Sequence, residues 1–199
     1  DGEDEDPWEQ LDALIQDPSA LPDSLRGRVG SIAQRKWQFV KEEKETRREL
    51  LKLLSRFEIT SEQATRFYEE SERENAGINC TDQEILENPY LLYEEDRFSE
   101  EPISLQTVDR GLFMEGEDQR SFEDLDTPEP MNPRRTRALL IHELEKQAGQ
   151  GNTLVGQKDL IKSIREFPVT PECPVGADLL EMLEADLSPA VQKCAIEER

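Results

Sequence analysis

The stretch "ENPYLLYEEDRFSEEPISLQTVDRGLF", residues 87–113, places proline, aromatic and aliphatic residues close together in an otherwise acidic chain. The pair Asn88 and Pro89 ends one short helix and begins the next, because asparagine caps a helix well and proline suits its first turn. Ser104 is expected to begin a further helix over "LQTVDR", which Gly111 ends. The pattern therefore predicts a compact group of short helices. The side chains expected in its core are Tyr90, Leu91, Tyr93, Leu105, Val108 and Phe113.

Two capping boxes precede this stretch and extend the helical group to residues 58–113. The sequence "TSEQ" at 60–63 predicts a helix that runs to about Asn75, with Gly77 as its stop. The sequence "TDQE" at 81–84 predicts the helix that ends at Asn88. Helices punctuated in this way predict a mainly α-helical fold.

The chain before residue 58 divides by charge. Residues 1–22 form an acidic N-terminal segment, whereas the stretch 26–56 has ten Lys and Arg against four Glu. We predict one long, basic, amphipathic helix over 23–57, because no proline interrupts it and apolar residues such as Leu25, Ile32, Phe39 and Leu50 recur at roughly helical spacing. Its basic face is interpreted either as a surface for phosphates or a partner, or as a helix that pairs with the acidic middle of its own chain.

The chain after residue 113 begins with an acidic linker, 114–131, which contains "EGEDQ" and two prolines. Asn132 and Pro133 then cap a strong helix over "RRTRALLIHELEKQAGQ". The stretch "NTLVG", 152–156, is long enough for one short β-strand, and further helices follow it. We therefore predict that residues 132–199 form a helical domain that resembles a small winged helix.

Composition limits the classes of function. The formal net charge is -22, so the chain as a whole repels nucleic acid and anionic membranes, and any nucleic-acid contact must be local. The three cysteines have no metal-binding spacing and cannot all pair with one another, which is typical of a reducing, cytoplasmic compartment. No long apolar run predicts a membrane span. The chain starts at Asp1 and ends in "AIEER", and we expect it to be part of a longer polypeptide.

No complete catalytic, nucleotide-binding or metal-binding motif is present in the sequence. In "GNTLVGQK", residues 151–158, Gln157 stands where a phosphate-binding loop needs lysine, and Asp159 would repel phosphate. His142 is the only histidine, which rules out a histidine-based triad or a Cys and His zinc site. The many carboxylates show no calcium-loop spacing. We predict no catalytic residues, no metal site and no cofactor.

The order of three blocks resembles the region that precedes the motor in RecD-like superfamily 1 DNA helicases (exodeoxyribonuclease V alpha-type). The blocks are "ILENPYLLYE", "ISLQTVDRG" and "RRTRALLIHELEKQAGQGNTLVGQKDLI", and the resemblance covers about residues 55–165. It implies a helix-hairpin-helix-like domain over 58–113. The matching residues are Asn88, Pro89, Tyr90, Thr107, Val108, Asp109, Arg110, Arg137, Ala138, Leu140, Leu144, Ala148, Gly151, Thr153, Leu154 and Leu160.

The departures from that family restrict the function. The hairpin position reads "SEEPIS", which lacks the glycines that allow a backbone to approach phosphate. The nucleotide-binding elements of a motor are missing, and the resemblance implies that they lie after Arg199. The sequence therefore predicts a non-catalytic accessory region of an ATP-dependent helicase, which positions DNA or a partner against the motor. The alternative is an acidic, helical protein-interaction module unrelated to helicases.

Any DNA contact is predicted to use the locally basic surfaces, which would bind weakly and with a steep dependence on salt. The partners expected are DNA, the downstream motor of the same polypeptide or another protein, and no membrane. The predicted contact residues are Arg35, Lys36, Lys41, Lys44, Arg47 and Arg48 on the long helix, with Arg134, Arg135 and Arg137 as a second patch.

Overall fold

The protein is mainly α-helical, as predicted. The computed structural model describes residues 7–27, 29–113, 129–183 and 194, and in these residues it has twelve α-helices, one 3-10 turn and no β-strand. The helices of the first half are α1 (Pro7–Gln16), α2 (Asp23–Arg26), α3 (Ser31–Glu42), α4 (Glu45–Ser55), α5 (Ser61–Tyr68) and α6 (Glu70–Asn75). Those of the second half are α7 (Asp82–Glu87), α8 (Leu91–Glu94), α9 (Leu105–Leu112), α10 (Pro133–Gly149), α11 (Gln157–Arg165) and α12 (Ala177–Met182).

Four of the predicted helix starts are confirmed, but the start predicted at Asn88 and Pro89 is wrong, since α8 begins at Leu91 with Tyr90 as its cap. The single helix predicted from Thr60 to about Asn75 is also wrong, because the extended backbone of Glu69 divides it into α5 and α6. Thr60 caps α5 and Thr81 caps α7, each in a complete capping box with the side chain three residues later. Ser104 accepts a hydrogen bond from the third amide of α9, and Asn132 accepts one at the start of α10 with proline at the first position. Each of these bonds satisfies an amide that has no partner inside its own helix.

The prediction of one long helix over 23–57 is wrong, because the structure divides this segment into α2, α3 and α4. Gly27 ends α2 and Gly30 precedes α3, and both weaken a helix because glycine loses more backbone freedom there. Glu43 and Lys44 then adopt extended backbone angles between α3 and α4. The sequence there, "KEEKET", has no apolar side chain to bury, so packing does not hold a continuous helix across it.

The β-strand predicted over 152–156 is also absent, since these described residues form no strand. Gly151 has a φ of 89° and ends α10, with its amide bonded to the carbonyl of Ala148 and that of Asn152 bonded to the carbonyl of Gln147. This is the glycine-dependent C-terminal motif of a helix, and no described residue forms a strand with which the segment after it could pair. The predicted resemblance of residues 132–199 to a winged helix requires a β-strand, and the described part of this segment forms none.

One buried apolar cluster joins the helices from α4 to α12, except α6, which contributes no apolar side chain. It includes Leu50 and Leu53 of α4, Phe67 of α5, Val108 of α9 and Ile164 of α11, each no more than 2% exposed. The core predicted within residues 87–113 is confirmed, with Leu91 and Phe113 partly buried at its edge. The cluster therefore spans both the 58–113 segment and the described part of 132–199.

Gly111 lies inside α9 rather than ending it. A side chain at this position would overlap the ring of Phe57, which packs directly on the glycine. The sequence prediction of a helix stop is therefore corrected to a site of close helix packing, because the absent Cβ allows the Phe57 ring to approach. The linker predicted over 114–131 lies mostly outside the described residues, as do residues 1–6 of the acidic N-terminal segment.

Candidate nucleic-acid interface

The N-terminal helices α1 and α3 form a hairpin held by two tryptophans. The rings of Trp8 and Trp37 stack with centroids 5.6 Å apart and planes 11° from parallel. Asp12 of α1 accepts a hydrogen bond of 2.7 Å from the Trp37 indole and forms an ion pair of 2.9 Å with Lys41. The hydrogen bond from Lys41, with those from Gln16 and Trp37, lowers the pKa of Asp12 to about 2. The hairpin thus depends on an ionised carboxylate between its two helices.

A cleft opens where this hairpin meets α4. Its aromatic wall is the tryptophan pair, and its basic wall comes from the long side chains of α3 and α4. Lys52 is paired with Glu49 at 3.2 Å and Lys41 with Asp12, whereas Arg48 is exposed and has no ion pair with a described residue. We name this the aromatic-basic cleft. It is lined by Trp8, Glu9, Asp12, Trp37, Val40, Lys41, Arg48 and Lys52.

The predicted contacts of the first patch divide into two groups, and the second group consists of Lys41 and Arg47, which are engaged within the protein. The first group comprises exposed residues without an ion pair to any residue that the structure describes, and its members are Arg35, Lys36, Lys44 and Arg48. Lys44 directly precedes α4 and Arg48 lies in its first turn, so both bases are at the N-terminal end of this helix. Lys41 differs because Asp12 partly neutralises it.

Arg47 is a structural residue rather than a free contact. Its guanidinium lies 4.1 Å from the centre of the Tyr68 ring, donates to the Tyr68 carbonyl and pairs with Asp82 at 3.2 Å. Only 14% of its side chain is exposed. Arg47 therefore ties α4 to α5 and α7, and a charge reversal there would disturb the fold as well as any DNA contact.

The second predicted patch is mostly engaged inside the protein. Arg134 is exposed, but Arg137 is largely buried and pairs with Glu94 at 3.1 Å. Burial raises the pKa of Glu94, and Arg137 and Arg97 oppose that effect. The prediction that Arg135 contacts DNA is wrong for this conformation, since Arg135 is completely buried.

The burial of Arg135 has a clear physical reason, which is its pairing with Asp109. Its Nε and Nη2 atoms donate to the two carboxylate oxygens of Asp109 at 2.7 and 2.8 Å, and Tyr90 donates to the same carboxylate at 2.8 Å. The carbonyls of Pro130 and Pro171 accept further bonds from the guanidinium. Burial alone would lower the pKa of Arg135, but its hydrogen bonds and the charge of Asp109 outweigh this and raise the pKa.

This buried network brings together the segments from which a resemblance to RecD-like helicases is predicted. Tyr90 comes from "NPY", Asp109 from "TVDR", and Arg135 stands two residues before the matched Arg137. The network explains these residues as a structural cross-link between α8, α9 and α10 that needs no ligand. Sequence reasoning missed it because the partners are 19 and 26 residues apart.

The other candidate chemistry does not assemble into a site. His142 is half-buried between Tyr93 and Phe167, and burial lowers its pKa. In residues 7–27, 29–113 and 129–183 no three His, Cys, Asp or Glu side chains are placed to hold a metal ion. Over the same ranges no helix has the length and apolar character that crossing a membrane requires. At "GNTLVGQK", α11 begins at Gln157 with Asp159 in its first turn, which opposes anion binding.

Sequence reasoning also missed the tryptophan pair. The chain has two tryptophans, Trp8 in the acidic N-terminal segment and Trp37 in the basic stretch 26–56. No local pattern indicates that the two rings stack. Comparison of the chain with family models, with curated proteins and with solved structures found no match.

Proposed function

We propose that this chain is a non-catalytic, DNA-contacting accessory region of an ATP-dependent, RecD-like helicase. In this proposal the aromatic-basic cleft and the adjoining exposed bases of α3 and α4 guide DNA, and a motor elsewhere in the same polypeptide hydrolyses ATP. The reduced, buried thiols of Cys80 and Cys173 accord with a cytoplasmic protein of this kind.

The observation that carries the proposal is the combination of aromatic and unpaired basic side chains in one place. Single-stranded DNA is bound without sequence preference by cationic side chains along its phosphates and by aromatic rings that stack on its bases. Arg48 lines the cleft with the partly exposed rings of Trp8 and Trp37, and Lys44 is exposed immediately before α4.

The proposed binding is weak and depends on salt. A few phosphate contacts against a net charge of -22 should give a dissociation constant in the non-specific range, on the order of 10⁻⁴ to 10⁻⁶ M or weaker. Each contact releases counterions, so affinity should fall steeply as salt rises. The region would therefore position DNA that the motor already holds, rather than capture it alone.

The test is fluorescence anisotropy with a labelled, unstructured 20-nucleotide DNA at low salt. The double variant Lys44→Glu/Arg48→Glu should abolish binding, because it reverses two exposed charges without breaking an ion pair among the described residues. The matched control, Lys158→Glu/Lys162→Glu on α11, changes the net charge equally on exposed positions. It should retain most of the affinity.

Two results would contradict the proposal. One is no binding by the native chain at low salt, which would favour the protein-interaction module. The other is equal loss in both double variants, which would mean that net charge alone governs binding and that the cleft has no role. If nucleobases of the DNA stack on the rings of Trp8 and Trp37, binding should also quench the tryptophan emission of the native chain.

A further inference from the structure

The connection between α8 and α9, residues 95–104, holds a phenylalanine in the solvent. Phe98 is 81% exposed, the largest exposure among the large apolar side chains that the structure describes. An isolated exposed aromatic needs no explanation by itself. This one is different because the loop that carries it is fixed on both sides.

The first fixed point is Asp96, which is completely buried. Its carboxylate accepts hydrogen bonds of 2.7 Å from the Ser99 hydroxyl and from the Ile103 amide, and it pairs with Arg66 of α5. The carbonyl of Glu101 accepts further bonds from Arg66 and from Gln63. The loop is therefore bonded to α5 before and after the position of Phe98.

The second fixed point is Arg97, next to the phenylalanine. It pairs with Glu145 of α10 at 2.7 Å and donates to the carbonyl of Glu94. Its guanidinium carbon lies 4.4 Å from the centre of the Phe98 ring. The guanidinium thus lies over the ring, while most of the Phe98 side chain remains in water. Because the loop is bonded on both sides of Phe98, its backbone needs little further ordering when a partner binds.

The charges around Phe98 indicate which kind of partner could bind over its ring. Residues 94–101 contain five carboxylates against one base, and those of Glu100 and Glu101 are exposed. Carboxylates repel the phosphates of nucleic acid and the headgroups of anionic membranes. They attract lysine and arginine, so complementary charge is expected around any apolar pocket that receives the ring.

We propose that the Phe98 loop is a protein-docking surface, with Phe98 as the anchor and Glu100 and Glu101 as its acidic rim. The partner is a protein segment that offers an apolar pocket or face bordered by Lys and Arg. An aromatic side chain at the centre of a small contact with charges around it is the usual arrangement of an interface hot spot. This surface is separate from the aromatic-basic cleft, and its function does not depend on DNA binding.

The experiment selects binders from a displayed library of random peptides with the full chain as bait. The best peptides are then synthesised and titrated calorimetrically against the native chain and three variants. We expect selected peptides that combine aliphatic or aromatic residues with Lys or Arg. Phe98→Ala should weaken them roughly tenfold, as truncation of an anchor does. Glu100→Gln/Glu101→Gln should reduce the affinity less and lower its salt dependence.

The matched control is Leu154→Ala, which removes a side chain that is 62% exposed on the connection between α10 and α11. It should leave the affinity unchanged. Peptides that bind Phe98→Ala as tightly as the native chain, or that lack basic residues, would overturn the proposal. So would a self-association in sedimentation that Phe98→Ala removes, or a loss of oligonucleotide affinity in that variant, because these assign the ring to a second copy or to nucleic acid.

Discussion

The N-terminal hairpin and the rest of the protein are both helical, but different forces hold them. We use "hairpin" for residues 7–42 and "body" for the described residues from 45 onward. In the described hairpin no residue is buried, and its contacts are a ring stack, a carboxylate with two donors and a few partly covered apolar side chains. The body has a continuous buried cluster that runs from Leu50 to Leu183.

The difference indicates where stability and function lie. Burial of apolar side chains contributes most of the free energy of folding, so the body should unfold cooperatively while the hairpin can open at lower cost. The proposed DNA contact lies on the hairpin and its junction with α4. A surface of low local stability can adjust its shape to a strand of DNA. Phe98, by contrast, lies on the more stable body.

The chain itself supplies two probes for this comparison. Both tryptophans, Trp8 and Trp37, lie in the hairpin, so their fluorescence reports on that region. Far-ultraviolet circular dichroism reports mainly on the body, which has most of the helices. If the two regions are distinct, the two signals should change at different urea concentrations.

The largest effect is expected from Asp109→Ala in the body. The variant leaves the guanidinium of Arg135 buried without its carboxylate and removes the acceptor of the Tyr90 hydroxyl. Loss of one partner of a buried ion pair typically costs about 3–5 kcal/mol of unfolding free energy. The circular dichroism transition in urea should move accordingly, whereas the tryptophan stack should keep its native emission in water.

The control replaces both charges, as Asp109→Leu/Arg135→Met. A matched apolar pair avoids the uncompensated charge, so this double variant should be more stable than Asp109→Ala. If Asp109→Ala unfolds at the native urea concentration, the network does not stabilise the body and the comparison fails at its strongest point.

A smaller change in the free energy of unfolding is expected from two leucine truncations, one in the body and one in the hairpin. Leu50 is completely buried in the body, whereas Leu25 on α2 is 44% exposed. Leu50→Ala should cost about 2–5 kcal/mol because it removes buried contacts and leaves a cavity. Leu25→Ala should stay within about 0.5 kcal/mol, as exposed positions usually do.

Both variants are measured by urea unfolding with the two spectroscopic signals. Similar costs for Leu50→Ala and Leu25→Ala would show that the hairpin is packed as firmly as the body. That result would remove the physical basis of the division.

The smallest effect concerns acid and the hairpin alone. The pKa of Asp12 is lowered to about 2 in the folded hairpin, against about 4 for an unperturbed aspartate. A group whose pKa is lowered by folding stabilises the fold above its unfolded pKa, and that contribution is lost as pH falls towards the folded value. Tryptophan emission should therefore change between about pH 4 and 2 as the stack loosens.

Asp12→Asn should remove this acid transition, because the ion pair with Lys41 no longer exists at any pH. Asp23→Asn is the control, since Asp23 is exposed and lies outside the tryptophan contacts. An unchanged acid titration in Asp12→Asn would mean that other carboxylates control the hairpin.

The helix starts could be predicted from sequence because their bonds are local. The capping boxes at Thr60 and Thr81 join residues three positions apart, so the four-residue pattern contains both partners. The apolar positions within 87–113 were equally readable, since helical spacing brings them onto one side. The mainly α-helical class follows from these short-range signals.

The candidate site could be predicted only in part. The exposed bases Arg35, Lys36, Lys44 and Arg48 agree with the predicted position on a charged surface. Their separation from Arg47 could not be foreseen, because Arg47 and Arg48 are adjacent in sequence and similar in chemistry. Which of the two faces α5 and α7 depends on how α4 packs.

The sequence by itself determined the helical class, the places where helices begin and the acidic balance of the chain. Tertiary structure alone decided that Arg135 is buried and that Trp8 meets Trp37. Helix capping is satisfied within one turn, whereas the burial of a charge requires a carboxylate brought from a distant segment. Asp109 is that partner for Arg135, and only the packing of α9 against α10 brings the two together.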